Sequence, residues 1–335
     1  FAGALSAARE LGAVPFYFDS RNRQITFVDS LRREKIRRID SIETFLRLNS
    51  DGLDVFNDSV MNEMSQDRQL LTKTLWIHRE KLRRFYKELT DYNNAFKPFE
   101  ICRGGFIFKL ESSERAVIQG YGLDLVFAKW PDFAKYLSGG WFEEFIYLQC
   151  KPYEDAGVIQ DLRINVKLNL KQENAWTHSN FGAEYNELDV TFTDGYSLYI
   201  VECKAGNVTQ EQVMKLQNLV RFYGGTEGRG IVACCVPPNT ESAKKKIKDA
   251  RLTLWSGASL AEQIKTMMNS ITALARNDDT RAIPGALRGT LENAQSAAGE
   301  IKAATAELRE SGALTQMRGL IDEAAAAAAK AGLTR

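Results

Sequence analysis

The sequence predicts an α/β fold with helices on both faces of a mixed sheet. Three observations carry that prediction. Residues 141–255 alternate helical and extended patterns in the order α, β, β, β, α, β, α, β. Two of the extended runs, 186–192 and 198–204, flank an Asp194-Gly195 turn signal and so read as a β-hairpin. That hairpin places Glu187, Asp189, Glu202 and Lys204 in strands otherwise apolar enough to be central. Side chains alternate faces along a strand, so Glu187 shares a face with Asp189 and Glu202 shares one with Lys204. Pairing the strands can then bring Asp189, Glu202 and Lys204 together. Ionised groups in a sheet core cost roughly several kcal/mol each unless paired or holding a metal, and a hard divalent cation suits a carboxylate pair. The hairpin therefore predicts a metal-dependent hydrolytic site.

The elements follow in order. Residues 1–11 read as a helix stopped at Gly12, and 14–18 as a strand. Residues 41–48 continue in a short amphipathic helix. A long charged helix over 67–89 has Leu70, Leu71, Thr74, Leu75 and Ile77 as its inner stripe. His78 on its flank reads as a core residue, because a lone helical histidine offers no partner at metal spacing. Short strands follow over 99–102, 105–110 and 116–118. The first half of the hydrolytic domain is a helix over 141–149, a half-buried strand over 162–170 with alternating aliphatics, and then the hairpin. A helix over 210–222 turns Val213, Leu216, Leu219 and Val220 inward and closes at Gly224-Gly225. Residues 231–235 form a buried strand and 252–255 a last one. Between them, 244–248 place four lysines on a helix, most simply a solvated face and at most an electrostatic track for a backbone. Past residue 277 the chain turns rich in Ala, Glu, Lys and Arg, with a thin apolar stripe through Ile283, Leu287 and Leu291. This predicts an alanine-rich helical tail that buries too little surface to fold alone.

Composition narrows the class. At 335 residues the chain exceeds one ordinary core. Its 44 basic and 43 acidic residues exclude a wholly basic nucleic-acid coat, so any phosphate-binding surface must be local. Five cysteines without C-x-x-C spacing and two lone histidines give no zinc signature and predict free thiols in a reducing cytosol. No apolar run is long enough to span a bilayer.

Asp189, twelve residues, then Glu202-Cys203-Lys204 resembles the PD-(D/E)xK nuclease superfamily, whose fold is restriction-endonuclease-like. Together with residues 139–147 (Gly-Gly-Trp-Phe-Glu-Glu-Phe-Ile-Tyr), 186–190, Lys215-Leu216 and Gly224-Gly225, the motif resembles the Card family of CRISPR ancillary nucleases over roughly residues 1 to 260. That resemblance implies a CARF (CRISPR-associated Rossmann fold) sensor joined to a nuclease, activated by cyclic oligoadenylate and working as a homodimer on DNA or RNA. It divides the chain into a Rossmann-like CARF remnant at 1–40, a helical and β connector at 41–135, a nuclease domain at 136–272 and the tail at 273–335. The chain opens inside an apparent helix without the family's nucleotide-binding loop, the expectation for a fragment lacking its natural start. Within the nuclease domain, Asp189, Glu202, the Cys203 carbonyl and one of Glu143 and Glu144 would hold Mg²⁺ or Mn²⁺. On a helical wheel Glu144 borders the Trp141, Phe145 and Leu148 stripe more closely, but the pattern does not discard Glu143. Lys204 would orient or activate the attacking water. Lys215 would touch phosphate, or simply snorkel on the surface. The competing outcome is a catalytically silent CARF-linked nucleic-acid-binding or regulatory protein, against which the intact Asp189, Glu202 and Lys204 set argues.

Overall fold

The described residues form three sheets. The computed structural model describes residues 8, 10–19, 23–28, 30–49, 53–57, 64–82, 98–170, 184–238 and 240–278, all within the unit Phe1–Asp278. The expected helix over 1–11, apart from residues 8, 10 and 11, and the alanine-rich tail past residue 278 lie outside the described residues. First comes an antiparallel meander of β1 (Phe16–Asp19), β2 (Gln24–Phe27) and β3 (Arg33–Lys35). The parallel crossover that would define a Rossmann unit in segment 1–40 is not among the described residues. Next are helix α1 (Ile42–Asn49), strand β4 (Leu53–Asn57), and helices α2 (Gln66–Ile77) and α3 (Arg79–Leu82). The single charged helix expected over 67–89 thus breaks at His78, and residues 83–97 are outside the described set.

Strands β5 (Phe99–Arg103), β6 (Phe106–Ser112), β7 (Arg115–Gly120) and β8 (Leu123–Phe127) form a four-stranded antiparallel sheet, one strand more than expected. Helix α4 (Trp130–Lys135) leads through a π-turn (Tyr136–Gly140) into α5 (Trp141–Asp155). Strands β9 (Gln160–Leu170), β10 (Glu184–Thr193) and β11 (Leu198–Lys204) then form the antiparallel half of the central sheet. Helix α6 (Gln210–Gly224) starts on a capping box in which Thr209 and Gln212 satisfy each other's backbone amides, and it stops at Gly225, whose φ is +59°. Strand β12 (Arg229–Cys234), helix α7 (Glu241–Asp249), strand β13 (Thr253–Ser256) and helix α8 (Leu260–Asp278) complete the described chain.

The central sheet has six strands in the order β13-β12-β11-β10-β9-β4, parallel on the β11 side and antiparallel on the other. This is the mixed α/β sheet flanked by helices that the sequence predicts. One face packs under α1, α6 and α7 through Leu46, Ile200, Leu216 and Ile247. The other packs under α5 and α8 through Phe145, Val201, Trp255 and Ile264, and that core runs on without a break into β6, β7 and α4 through Phe108, Ile118 and Phe133. The expected connector, 41–135, therefore shares its interior with the elements after it.

The meander is tied to the turn of the β10–β11 hairpin. Gly195 has a φ of +90°, and Arg38 lies where its Cβ would stand. Asp194 Oδ1 accepts the amides of Tyr196 and Ser197, while Asp194 Oδ2 accepts the Tyr199 hydroxyl at 3.1 Å. The Arg23 guanidinium sits 3.8 Å over the Tyr196 ring, and Ile39 donates its amide to the Gly195 carbonyl.

Candidate nuclease site

Strand β11 is buried from Leu198 to Cys203, which places Glu202 at 7% exposure among aliphatics. The hairpin register ends at Val190↔Val201. Beyond it the Asp189 carboxylate, rather than a backbone carbonyl, accepts the Cys203 amide, at 2.7 Å. The Lys204 ammonium lies 2.6 Å from Glu202 Oε1 and 3.9 Å from Asp189 Oδ2. Asp189, Glu202 and Lys204 are thus gathered at one end of the sheet. The Cys203 thiol is pushed well up by burial and the surrounding acids, so what that residue offers the site is its backbone. All five cysteines are free.

The middles of β9 and β10 show how Asp189 reaches this position. Leu162 and Ile164 on β9 pack in the core under α5, whereas Val166 and Leu168 pack in the other. On β10, Leu188 packs under α6 and Val190 under α5. Between the pairs Leu188↔Val166 and Val190↔Ile164 lie Asp189 and Asn165, and Asn165 has a φ of +52°. Both strands therefore exchange faces at one level. The strict alternation expected along β10 breaks at Asp189.

The adjacent glutamates of α5 point to different partners. Glu144, 4% exposed, takes a bidentate guanidinium from Arg68 on α2 and the Thr72 hydroxyl at 3.2 Å, and Thr72 in turn meets the Tyr136 hydroxyl at 2.9 Å. It belongs to the α2–α5 interface and does not join the acidic cluster. Glu143 faces the hairpin. Burial first, then the charge of Asp189, pushes its carboxyl up to about 8, and burial with Glu202 pushes Asp189 up to about 7. The wheel preference for Glu144 came from the apolar stripe, but a long buried pair with Arg68 satisfies a core-facing glutamate equally well. Burial pulls Lys204 down, and Asp189 and Glu202 more than offset it, so the ammonium keeps its proton.

Residues that the sequence does not flag stand beside this cluster. Lys135 Nζ is 3.1 Å from Glu187 Oε1. With its nitrogen turned toward the acids, the Asn165 amide donates to Glu143 Oε2 at 2.9 Å and to Glu187 Oε1 at 3.2 Å. Lys215 stands apart on the outer side of α6, where with Asn186, Met214, Arg221 and Phe222 it lines an open groove of about 1060 Å³. His78 stacks on Tyr121 at 4.3 Å, away from the acids.

Among the described residues no set of three or more His, Cys, Asp or Glu closes into a ready-made cage for an ion. The donor chemistry nevertheless suits a hard cation. Carboxyls held up by burial and by one another would ionise readily beside added positive charge.

Carboxylates from a hairpin and the preceding helix, with a lysine two residues past the last acid, thus stand together on a mixed α/β sheet between helices. Residues 132–274 match the family described as "Card1-like, endonuclease domain". No curated protein matches the chain. Among solved structures, the fold is similar to the crystal structure of protein VC1899 from Vibrio cholerae, with a TM-score of 0.59 and 17% identity over 81% of this chain and 72% of that one. It is also similar to Can2 from Sulfobacillus thermosulfidooxidans in complex with cyclic tetra-adenylate, with a TM-score of 0.55 and 16% identity over 80% and 73%. At these identities the likeness is one of fold. No described helix is long and apolar enough to cross a membrane.

Proposed function

We propose that the chain is a metal-dependent endonuclease that hydrolyses phosphodiester bonds of DNA or RNA as a CRISPR ancillary effector controlled by cyclic oligoadenylate. The observation that carries this is the Asp189, Glu202 and Lys204 cluster, built on the hairpin inside the Card1-like endonuclease domain. The likeness to Can2, whose structure contains cyclic tetra-adenylate, supports the control.

Asp189, Glu202, the Cys203 carbonyl and Glu143 would hold Mg²⁺ or Mn²⁺, whose chemistry when bound is to lower the pKa of a water and offset charge on the phosphate. Glu143 takes that place rather than Glu144, whose oxygens are committed to Arg68 and Thr72. Lys204, kept protonated by its two acids, donates toward the attacked phosphate and stabilises the charge that builds on it. The buried sheet end excludes bulk water and strengthens each of these contacts. Substrate is gripped through phosphates, so the site by itself favours no base sequence. The cytosol is the expected compartment, in keeping with the free thiols.

The test is cleavage of plasmid, single-stranded DNA and RNA with Mn²⁺ or with EDTA, with and without cyclic oligoadenylates, beside Asp189→Ala and Glu202→Ala. Mn²⁺-dependent cleavage lost in both variants is the expected result. Wild-type cleavage by either variant at saturating Mn²⁺ would refute the assignment.

A further inference from the structure

We infer that Asn165 is a positioning residue of the nuclease site, which from a left-handed turn within β9 holds the Glu143 and Glu187 carboxylates together and aims Glu143 at Asp189. The inference rests on the nuclease reading above. Asn165 is 8% exposed and lies on β9 at the level of Asp189, where both strands exchange faces. Its φ of +52° is a conformation that asparagine tolerates better than other residues with a side chain of its size, and one that costs a β-branched residue far more. A strand position facing a neighbouring strand does not need that conformation for pairing. What the turn achieves here is to swing an amide between an acid from α5 and an acid from β10, with donor distances of 2.9 and 3.2 Å.

The chemistry suits that role. Two carboxylates a few ångströms apart repel each other, and an amide donor shared between them offsets the repulsion without adding a charge that would compete with a cation. The Lys135 ammonium lies 3.1 Å from the same Glu187 oxygen, Oε1, that accepts the amide. Glu143 is therefore braced through Oε2 while it stands in the field of Asp189. Groups that orient a ligand in this way typically matter by about 10–100-fold in metal affinity or activity.

Glycine separates the two things that Asn165 supplies. Asn165→Gly keeps the left-handed backbone at no steric cost but removes the amide, whereas Asn165→Asp keeps the size and substitutes a third acid for the donor. The measurements are the thermal midpoint without metal, the Mn²⁺ dissociation constant by calorimetry, and Mn²⁺-dependent cleavage, each alongside Asp189→Ala. Expected for Asn165→Gly are an unchanged or raised midpoint, Mn²⁺ binding weakened by about 10-fold and cleavage lowered by about 10–100-fold; Asn165→Asp, which also lacks the donor, should lower cleavage at least as far. If Asn165→Gly binds Mn²⁺ and cleaves like wild type while Asp189→Ala is dead, the backbone alone matters and the inference is wrong. Failure of Asn165→Gly to fold would also count against it, since the amide would then be structural. Cleavage by Asp189→Ala would instead remove the nuclease reading beneath it.

Discussion

Asp189 and Glu143 hold their protons toward neutrality because burial and the neighbouring acids penalise the charged forms. The consequence for stability has a definite sign. Both folded values lie above the ordinary 3.8 and 4.5, so the folded state keeps protons that the unfolded chain releases. The associated stability is complete below about pH 4 and is lost as pH rises through about 7 to 8. Metal-free protein should therefore show a thermal midpoint that falls between pH 5 and pH 8, with a shallower slope in Asp189→Asn or Glu143→Gln. Mn²⁺ should reverse the trend, because it prefers the ionised acids and its stabilisation grows as they lose protons. A flat midpoint across that range in EDTA would show that the two acids are not strained. At this scale Asp189, Glu202 and Lys204 were legible as charges in an apolar hairpin. Asn165 was not, because it falls on the polar phase of the regular Leu162, Ile164, Val166, Leu168 alternation and nothing in that pattern announces a left-handed residue.

Helix α5 carries two glutamates with different duties, and the partner of one fixes the aim of the other. Arg68 and Thr72 on α2 lock Glu144, which sets the helical phase so that Glu143 meets the acids of the hairpin. Removing one partner of a buried ion pair leaves the other charge unpaid. Arg68→Ala should thus cost about 2–3 kcal/mol, at the low end for such pairs because the Arg68 side chain is 36% exposed. Glu144→Gln should lower the thermal midpoint while metal-dependent cleavage survives at temperatures where the variant is folded. Glu143→Gln should leave the midpoint unchanged or raise it, yet reduce cleavage by about 10²-fold or more. Parallel melting curves and initial rates decide between them, and the opposite pattern would return the role to Glu144. A helical wheel could not make this choice, since both residues lie near the buried face and only the helix packed against α5 distinguishes them.

Across the whole chain, the N-terminal meander holds the turn of the hairpin whose other end carries Asp189 and Glu202. Asp194 is the hub of that contact, accepting two backbone amides and a tyrosine hydroxyl beside Arg23. Asp194→Ala leaves buried donors without partners and should destabilise by about 2–3 kcal/mol. The loss should fall on the turn and meander first, read as faster hydrogen exchange of the amides of Tyr196, Ser197 and Ile39 than of those in β12. Uniform loss of protection would mean that the contact is not a separable clamp. The element order after residue 141 and the apolar hairpin with its acids were determined by the sequence itself, because periodicity and turn chemistry act over a few residues and are written locally. The four-stranded sheet that shares a core with α5, the recruitment of β4 to the central sheet, the exchange of faces at Asn165 and Asp189, and the separation of Glu143 from Glu144 were decided only in three dimensions. Each depends on which distant surface an element packs against, and a buried charge or a left-handed turn is stable only once that surface is in place.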